Sequence, residues 1–204
     1  SCLVGSEMCI RDRIRSGSEK GQLYASGTAR VGAALKVSRV PVIKKQAISA
    51  YDPRVVEVTG ISMMLTAQGA DHTVGNAPSF KCDDKSIAEL VAESLRMQIN
   101  SAVADSFGLC VFGRSVTDDN LKLIADAIND AFDAGVDPEF IRHIAFETLR
   151  LEATFNKAAG FDEADDELPS FFTDEPLPPT NKTNRLFSRE VNQQMQTLLA
   201  NAPV

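Results

Sequence analysis

Apolar positions recur along most of this chain at intervals of three and four rather than two, the spacing that gathers side chains on one face of a helix. The clearest run predicts a helix over 85–104, with Ile87, Leu90, Val91, Leu95, Ile99, Ala102 and Val103 on one face and Asp83 or Asp84 as its N-cap. A second amphipathic helix is predicted over about 118–134, stopping at Gly135, where a missing Cβ suits a left-handed C-terminal residue. Asp137-Pro138-Glu139 starts another: the Asp137 side chain caps, Pro138 fits the first helical position and Glu139 favours the positive helix end. Its stripe runs through Phe140, Ile141, Ile144, Ala145, Thr148, Leu151 and Phe155 to Gly160.

Weaker patterns fill the rest. Short helices are predicted over 28–36 and 61–68, and a last one over 183–200. Between the first two, Val40-Pro41-Val42-Ile43 is extended, because Pro41 disfavours helix at the residue before it, and Tyr51-Asp52-Pro53-Arg54 is a turn. Two glycines break the chain between Gly69 and Asn76, and 160–182 reads as a long acidic, proline-rich loop. With no convincing alternating strands, the expected class is mainly α, an irregular multi-helix bundle packed ridge into groove.

Residues 1–13, SCLVGSEMCIRDR, show neither helical nor strand periodicity and do not begin with Met. They resemble the translated read-through of a sequencing adapter, which would make them foreign to the fold and leave 14–204 as the protein proper.

Composition narrows the function. A chain of 204 residues, 44% of them hydrophobic, can bury a substantial core. Its net charge of -7 argues against nucleic acid, whose phosphates need a basic face. No run reaches the roughly 20 apolar residues of a membrane helix, and the expected setting is cytoplasmic. Cys2, Cys9, Cys82 and Cys110 lack Cys-x-x-Cys spacing, so they read as free thiols, with Cys82 structural.

Chemistry centres on the segment directly after the longest helix, Asp105-Ser106-Phe107-Gly108-Leu109-Cys110. Taken singly, Cys110 is a small core residue and Asp105 a helix-end carboxylate, while His72 is a polar loop residue and His143 a structural one. Taken in order, Asp-x-x-Gly-Leu-Cys resembles the pterin- and cluster-binding motif of aldehyde ferredoxin oxidoreductases. The resemblance extends in order through Tyr51-Asp52-Pro53-Arg54, Gly69-Ala70-Asp71-His72, Phe155-Asn156 with Gly160-Phe161, Asp165-Asp166-Glu167-Leu168-Pro169 and Glu175-Pro176-Leu177-Pro178.

That resemblance implies the C-terminal helical region of an enzyme that oxidises small aldehydes to carboxylic acids. The enzyme would use a tungsten or molybdenum bis-pterin cofactor and a four-iron four-sulfur cluster, and pass electrons to ferredoxin or another carrier. Asp105 inherits a hydrogen bond to the pterin and Cys110 the fourth cluster thiolate; Gly108 and Leu109 lie against the cofactor, and His72 beside the metal aids proton transfer. The family's upstream Cys-x-x-Cys-x-x-x-Cys group has no counterpart here, so missing N-terminal domains of the same protein become the necessary partner. Gln68 and Val74 stand where many relatives carry Arg and some carry Lys, so those cofactor contacts are not inherited. Asp52 and Arg54 read as a structural turn pair. The rival reading is a non-enzymatic helical interaction domain without metal.

Overall fold

The computed structural model describes residues 3–201, so Cys2 lies outside the described residues. The helices are α1 (Leu3–Arg15), α2 (Glu19–Ala25), α3 (Thr28–Ala34), α4 (Glu57–Leu65), α5 (Ile87–Ser106), α6 (Arg114–Thr117), α7 (Leu121–Phe132), α8 (Pro138–Ala158), α9 (Phe171–Asp174) and α10 (Ser188–Ala200). Between α3 and α4 a two-residue hairpin pairs β1 (Val42–Ile43) with β2 (Gln46–Ala47), antiparallel with Ile43 opposite Gln46. The architecture is mainly α, as the periodicity requires.

The long helix α5 is the axis of the bundle, packed by α4, α8 and α10. Its predicted face is the buried one: Leu90 and Val91 are fully enclosed, and Leu95, Ala102 and Val103 are buried with them. One core cluster gathers Val58, Ile61, Met63 and Met64 of α4, Leu90 and Val91 of α5, Val191 and Met195 of α10, and Ile43 of the hairpin. A smaller cluster joins the C-terminal part of α5 through Ala102 and Val103 to Leu121, Ile124 and Ala125 of α7 and to Ile141 and Ala145 of α8. Cys82, 4% exposed, lies in the larger cluster, as a structural thiol should.

Buried charges are all paired and fix the loops. Lys44 forms an ion pair with Asp166 and donates to the Met64 carbonyl at 2.6 Å, while Asp166 also accepts from Asn192 at 2.9 Å. Arg185 grips Glu57 through two bonds of 2.6 and 2.7 Å. Arg54 donates to both carboxylate oxygens of Asp52, at 2.9 and 2.6 Å, and to the Glu175 carbonyl at 2.6 Å, with its guanidinium 5.2 Å from the Phe172 ring centroid. The Asp52–Arg54 turn pair is therefore structural, and it ties the first third of the chain to the acidic loop. Such pairs keep otherwise costly charges satisfied inside the fold.

Several element limits differ from the sequence expectation, each for a local reason. The N-cap of α5 is Ser86, not Asp83 or Asp84: its hydroxyl accepts from the Glu89 N–H, and the Glu89 carboxylate accepts from the Ser86 N–H at 2.9 Å, a reciprocal capping box. Helix α7 ends at Phe132 with Asp133 as its left-handed C-cap (φ 49°); Gly135 is left-handed as expected (φ 67°) but lies two residues beyond that cap. Helix α4 begins four residues early, at Glu57, whose carboxylate Arg185 holds. The last helix starts only at Ser188, since Asn184 is buried and engaged with Leu186 and Phe172 instead of helical partners. In α8 the predicted N-terminus holds, with Asp137 accepting from the Phe140 N–H at 2.8 Å, yet Leu151 and Phe155 of the supposed core stripe are 66% and 72% exposed. The segment read as lacking periodicity forms α1, and its Cys9–Arg15 side chains are all exposed, as a helix without an apolar stripe must leave them.

Candidate cofactor-binding site

The end of α5 is built by the same residues that carry the motif. Gly108 (φ 65°) occupies the left-handed position after the helix; its N–H donates to the Asp105 carbonyl at 3.3 Å and the Leu109 N–H to the Ala104 carbonyl at 2.8 Å. These two bonds form a Schellman motif, which satisfies the last helical carbonyls and turns the chain sharply. Leu109 packs its side chain against the smaller core cluster, the hydrophobic contact that usually accompanies such a cap. Asp105 is left exposed on the last turn and Cys110 exposed just beyond it, as the residue preceding a short 3-10 turn over Val111–Gly113. No Cβ contact lies within 4 Å of Gly108, so its glycine serves backbone conformation and leaves open space in front of it.

A polar ladder brings the loop after α4 against this helix. Ser62 of α4 donates to the Gly75 carbonyl at 3.0 Å and lies 2.8 Å from Ser94 of α5, which in turn accepts from Gln98 at 3.0 Å. The approach is close enough that a Cβ on Gly75 would sit 2.2 Å from Ser62 Oγ. Thr59 accepts from the Ala77 N–H at 3.0 Å, and Ser101 of α5 donates to the Thr73 carbonyl at 3.4 Å. Within the loop, Gly69 and Ala70 are both left-handed (φ 73° and 56°), and Asp71 accepts from the Thr73 N–H and hydroxyl at 2.7 and 2.8 Å. On the far side Asn156 of α8 donates to the Ala67 carbonyl at 2.8 Å. Thus Asn156 ties α8 to the loop after α4 at Ala67, just ahead of the Gly-Ala-Asp-His segment.

Between these elements lies a cavity of about 310 Å³, lined by Thr66, Gln68, Asp71 and Val74 of the loop, Gln98, Ala102 and Asp105 of α5, and Leu149 and Glu152 of α8. A second cavity of about 490 Å³ adjoins it beneath Lys44, Asn156, Asp166 and Asn192, and a shallow apolar hollow continues over Leu151 and Phe155. Ala67 and Glu152 line all three. The smaller cavity carries carboxylates, amides and hydroxyls but no Lys or Arg, partly because Gln68 and Val74 occupy two of its positions. Thr66, 8% exposed, has a buried hydroxyl with no hydrogen-bond partner. Such a lining suits an uncharged heterocycle with N–H donors rather than an anion.

The sequence-predicted residues are only partly gathered. Asp105 and Asp71 line the cavity, whereas His72 does not; its imidazole lies tilted against Tyr51 with centroids 5.4 Å apart. Cys110, Gly108 and Leu109 do not line it, and among the described residues no group of three or more His, Cys, Asp or Glu is placed to hold a metal ion. His143, mid-helix in α8, is half-buried. Sequence reasoning missed Thr66, Gln98 and Glu152. The signal for Glu152 was present, since Ile141, Ala145, Thr148 and Glu152 follow one helical face and a carboxylate ends an otherwise core-facing row. Glu152 is exposed, yet partial desolvation, followed by the nearby Asp105 charge, pushes its carboxyl above its usual range.

Comparison with known proteins places the chain in a family. A family model described as aldehyde ferredoxin oxidoreductase, domains 2 & 3, matches residues 8–200, a span that starts inside the segment 1–13. The tungsten-containing aldehyde ferredoxin oxidoreductases of Thermococcus kodakarensis and Pyrococcus horikoshii are 32% and 31% identical to this chain over 149 residues. That of Pyrococcus furiosus is 30% identical over 149 residues. Each alignment takes in 67% of this chain but 24% of the relative, so the chain spans about a quarter of the length of the curated relatives it matches. With a matched model over nearly its whole length, the chain belongs to the aldehyde ferredoxin oxidoreductase family.

Proposed function

We propose that this chain supplies one wall of the cofactor chamber in an oxidoreductase converting aldehydes to carboxylic acids. The observation that carries the reading is that Asp105 and Asp71 line one cavity, with Cys110 exposed just beyond the end of α5. A tungsten or molybdenum bis-pterin cofactor, bound there, would supply the two-electron oxidation, and a four-iron four-sulfur cluster the route to ferredoxin or another carrier. Asp105 accepts from pterin N–H groups, a charge-assisted bond favoured over a neutral one. The Cys110 thiolate ligates one iron of the cluster, with the remaining ligands coming from N-terminal domains of the same protein. His72 holds or passes a proton at its free ring nitrogen as water and aldehyde react. The absence of Lys and Arg from the cavity favours this assignment over a phosphate-binding one.

The test is a chimera in which this chain replaces the matching segment of one of the curated relatives. The reading expects bound tungsten and pterin, aldehyde-dependent reduction of a redox dye, reduced iron content in Cys110→Ala and reduced pterin content in Asp105→Asn. Full iron in the Cys110→Ala chimera would refute that residue as a ligand, and a cofactor-free chimera that folds normally would favour an interaction domain instead. By the same reasoning the isolated chain, with one cluster thiolate, should neither hold a stable cluster nor oxidise aldehydes.

A further inference from the structure

We propose that the cavity of about 490 Å³ takes the body of the substrate, an uncharged aldehyde with an apolar chain, and that Gln98 accepts a hydrogen bond from its hydrated head group. Naming the ligand as an aldehyde rests on the oxidoreductase reading above and narrows it to a substrate class.

The polarity of the ladder along α5 fixes what Gln98 offers. A serine hydroxyl has one proton, and a carbonyl can only accept. Ser62 spends its proton on a carbonyl, that of Gly75 at 3.0 Å or of Val58 at 3.3 Å. The 2.8 Å contact between Ser62 and Ser94 therefore requires Ser94 to donate. Ser94 then has only lone pairs left for Gln98, whose Nε2 donates to it at 3.0 Å. That leaves the amide's other end, Oε1, as an acceptor to which nothing donates among the described residues. Gln98 is 5% exposed and lines both the 310 and the 490 Å³ cavities, and its Oε1 is not sealed in the core. A buried side chain thus holds an unpartnered acceptor where the two cavities share their walls. Such an atom is satisfied by an O–H or N–H of a ligand, and an anion offers it none.

The larger cavity decides the rest of the molecule. Leu65, Leu149, Met195 and Leu199 give it apolar walls of buried and half-buried side chains, against which an alkyl chain gains up to about fourfold in affinity per methylene. Its buried cation is taken, since the Lys44 side chain is paired with Asp166. Among its exposed lining residues Glu152, Asp162 and Glu163 outnumber Lys157, a balance that repels carboxylate and phosphate. Addition of water to an aldehyde, R–CHO, gives the hydrate R–CH(OH)2 with two O–H donors. One of them meets Gln98 Oε1, the chain lies in the larger cavity, and the reacting carbon stays at the junction with the cavity that Asp105 lines. The carboxylate product, by the same charge balance, is held less well than the aldehyde.

The experiment titrates the nitrogen-15-labelled chain at neutral pH with hexan-1-ol, a stable O–H donor, and with hexanoate, which pairs a similar chain with a negative head. The Gln98 side-chain amide resonance, assigned by its loss in Gln98→Met, reports binding at the site. Affinities of variants are read from saturation transfer to hexan-1-ol, and circular dichroism establishes that each is folded. Hexan-1-ol should shift the Gln98 amide saturably and bind more tightly than butan-1-ol. Gln98→Met should weaken it about fivefold, as loss of one neutral hydrogen bond implies. Hexanoate should leave the amide unmoved in wild type and shift it in Glu163→Lys, whose position on the exposed rim keeps the test intact should Gln98→Met not fold. An amide unmoved by hexan-1-ol, or unchanged affinity in a folded Gln98→Met, would overturn the proposal and leave the cofactor reading to the chimera. Equal binding of hexanoate to wild type would refute the selection against anions. A chimera without pterin or tungsten, beside a chain that still binds hexan-1-ol, would refute the oxidoreductase reading and with it the naming of the ligand as an aldehyde.

Discussion

The two ends of α5 do opposite work. Its N-terminal half is closed: Ser86 and Glu89 cap each other, Leu90 and Val91 are fully enclosed, and every neighbouring buried charge has a partner. Its C-terminal end is open: the Schellman cap at Gly108 faces empty space, Asp105 and Cys110 are exposed, and Val111 and Phe112 beyond them are 51% and 94% exposed. The same helix therefore anchors the fold at one end and presents chemistry at the other, which is how a rigid element holds reactive groups in place. Val116 of α6, Phe132 of α7 and Leu151 and Phe155 of α8 are exposed as well.

The largest contrast should appear in packing. Leu90→Ala removes a fully enclosed side chain from the larger cluster and should cost about 2–5 kcal/mol, whereas Phe112→Ala, at the open end, should stay within about 0.5 kcal/mol. Urea denaturation of the two variants measures both. Similar losses would mean that the exposed end is packed after all.

Next in size is the cap that both readings of the motif share. Gly108→Ala meets no steric neighbour, so its cost is the left-handed backbone alone, about 1–2 kcal/mol. If stability is unaffected, the Schellman turn is not what Gly108 is for. At the other end Ser86→Ala removes the hydroxyl half of the capping box and should cost about 1 kcal/mol, read from the shift in the denaturation midpoint. A negligible shift would mean that Asp83 or Asp84 takes over as cap.

The contrast also explains what was legible in the sequence. The closed half of α5 could be read from periodicity, because burial on one face imposes a strict spacing, and all seven residues assigned to that face are buried or half-buried. Its cap could not be located to the residue, since Asp83, Asp84 and Ser86 have similar capping chemistry and only the reciprocal Glu89 contact decides among them. In α8 the 3.6-residue period carried the apolar stripe past the point where the core ends; Leu151 and Phe155 fit the spacing but have nothing to pack on. Of the residues lining the cavity, Asp105 and Asp71 were legible as motif residues and Glu152 as the end of a helical face, but Thr66 and Gln98 were not. Those two join it through tertiary packing, and no local pattern in a sequence records which helix lies opposite.

The smallest expected effect sharpens the comparison most, because its sign differs between the two ends. Glu89 is held down to about 2, first by the Ser86 N–H and then by Lys85 and the Ser86 hydroxyl, so its ionised form favours the folded state. Its contribution is present above the ordinary glutamate range and is lost as pH falls through about 2. Glu152 is pushed upward, first by burial and then by Asp105, so its neutral form is the favoured one. Its contribution is fully present below the ordinary glutamate range and is lost as pH rises through the elevated value. Glu152→Gln should therefore match wild type in acid and become the more stable of the two as pH approaches neutrality, by less than about 1 kcal/mol because the side chain remains partly open to solvent. Glu89→Gln should do the reverse, weakening the fold at neutral pH and losing that deficit in acid. Denaturation of the three proteins across the acidic to neutral range measures both slopes. Slopes of the same sign would mean that the open end of α5 treats charge as the closed end does.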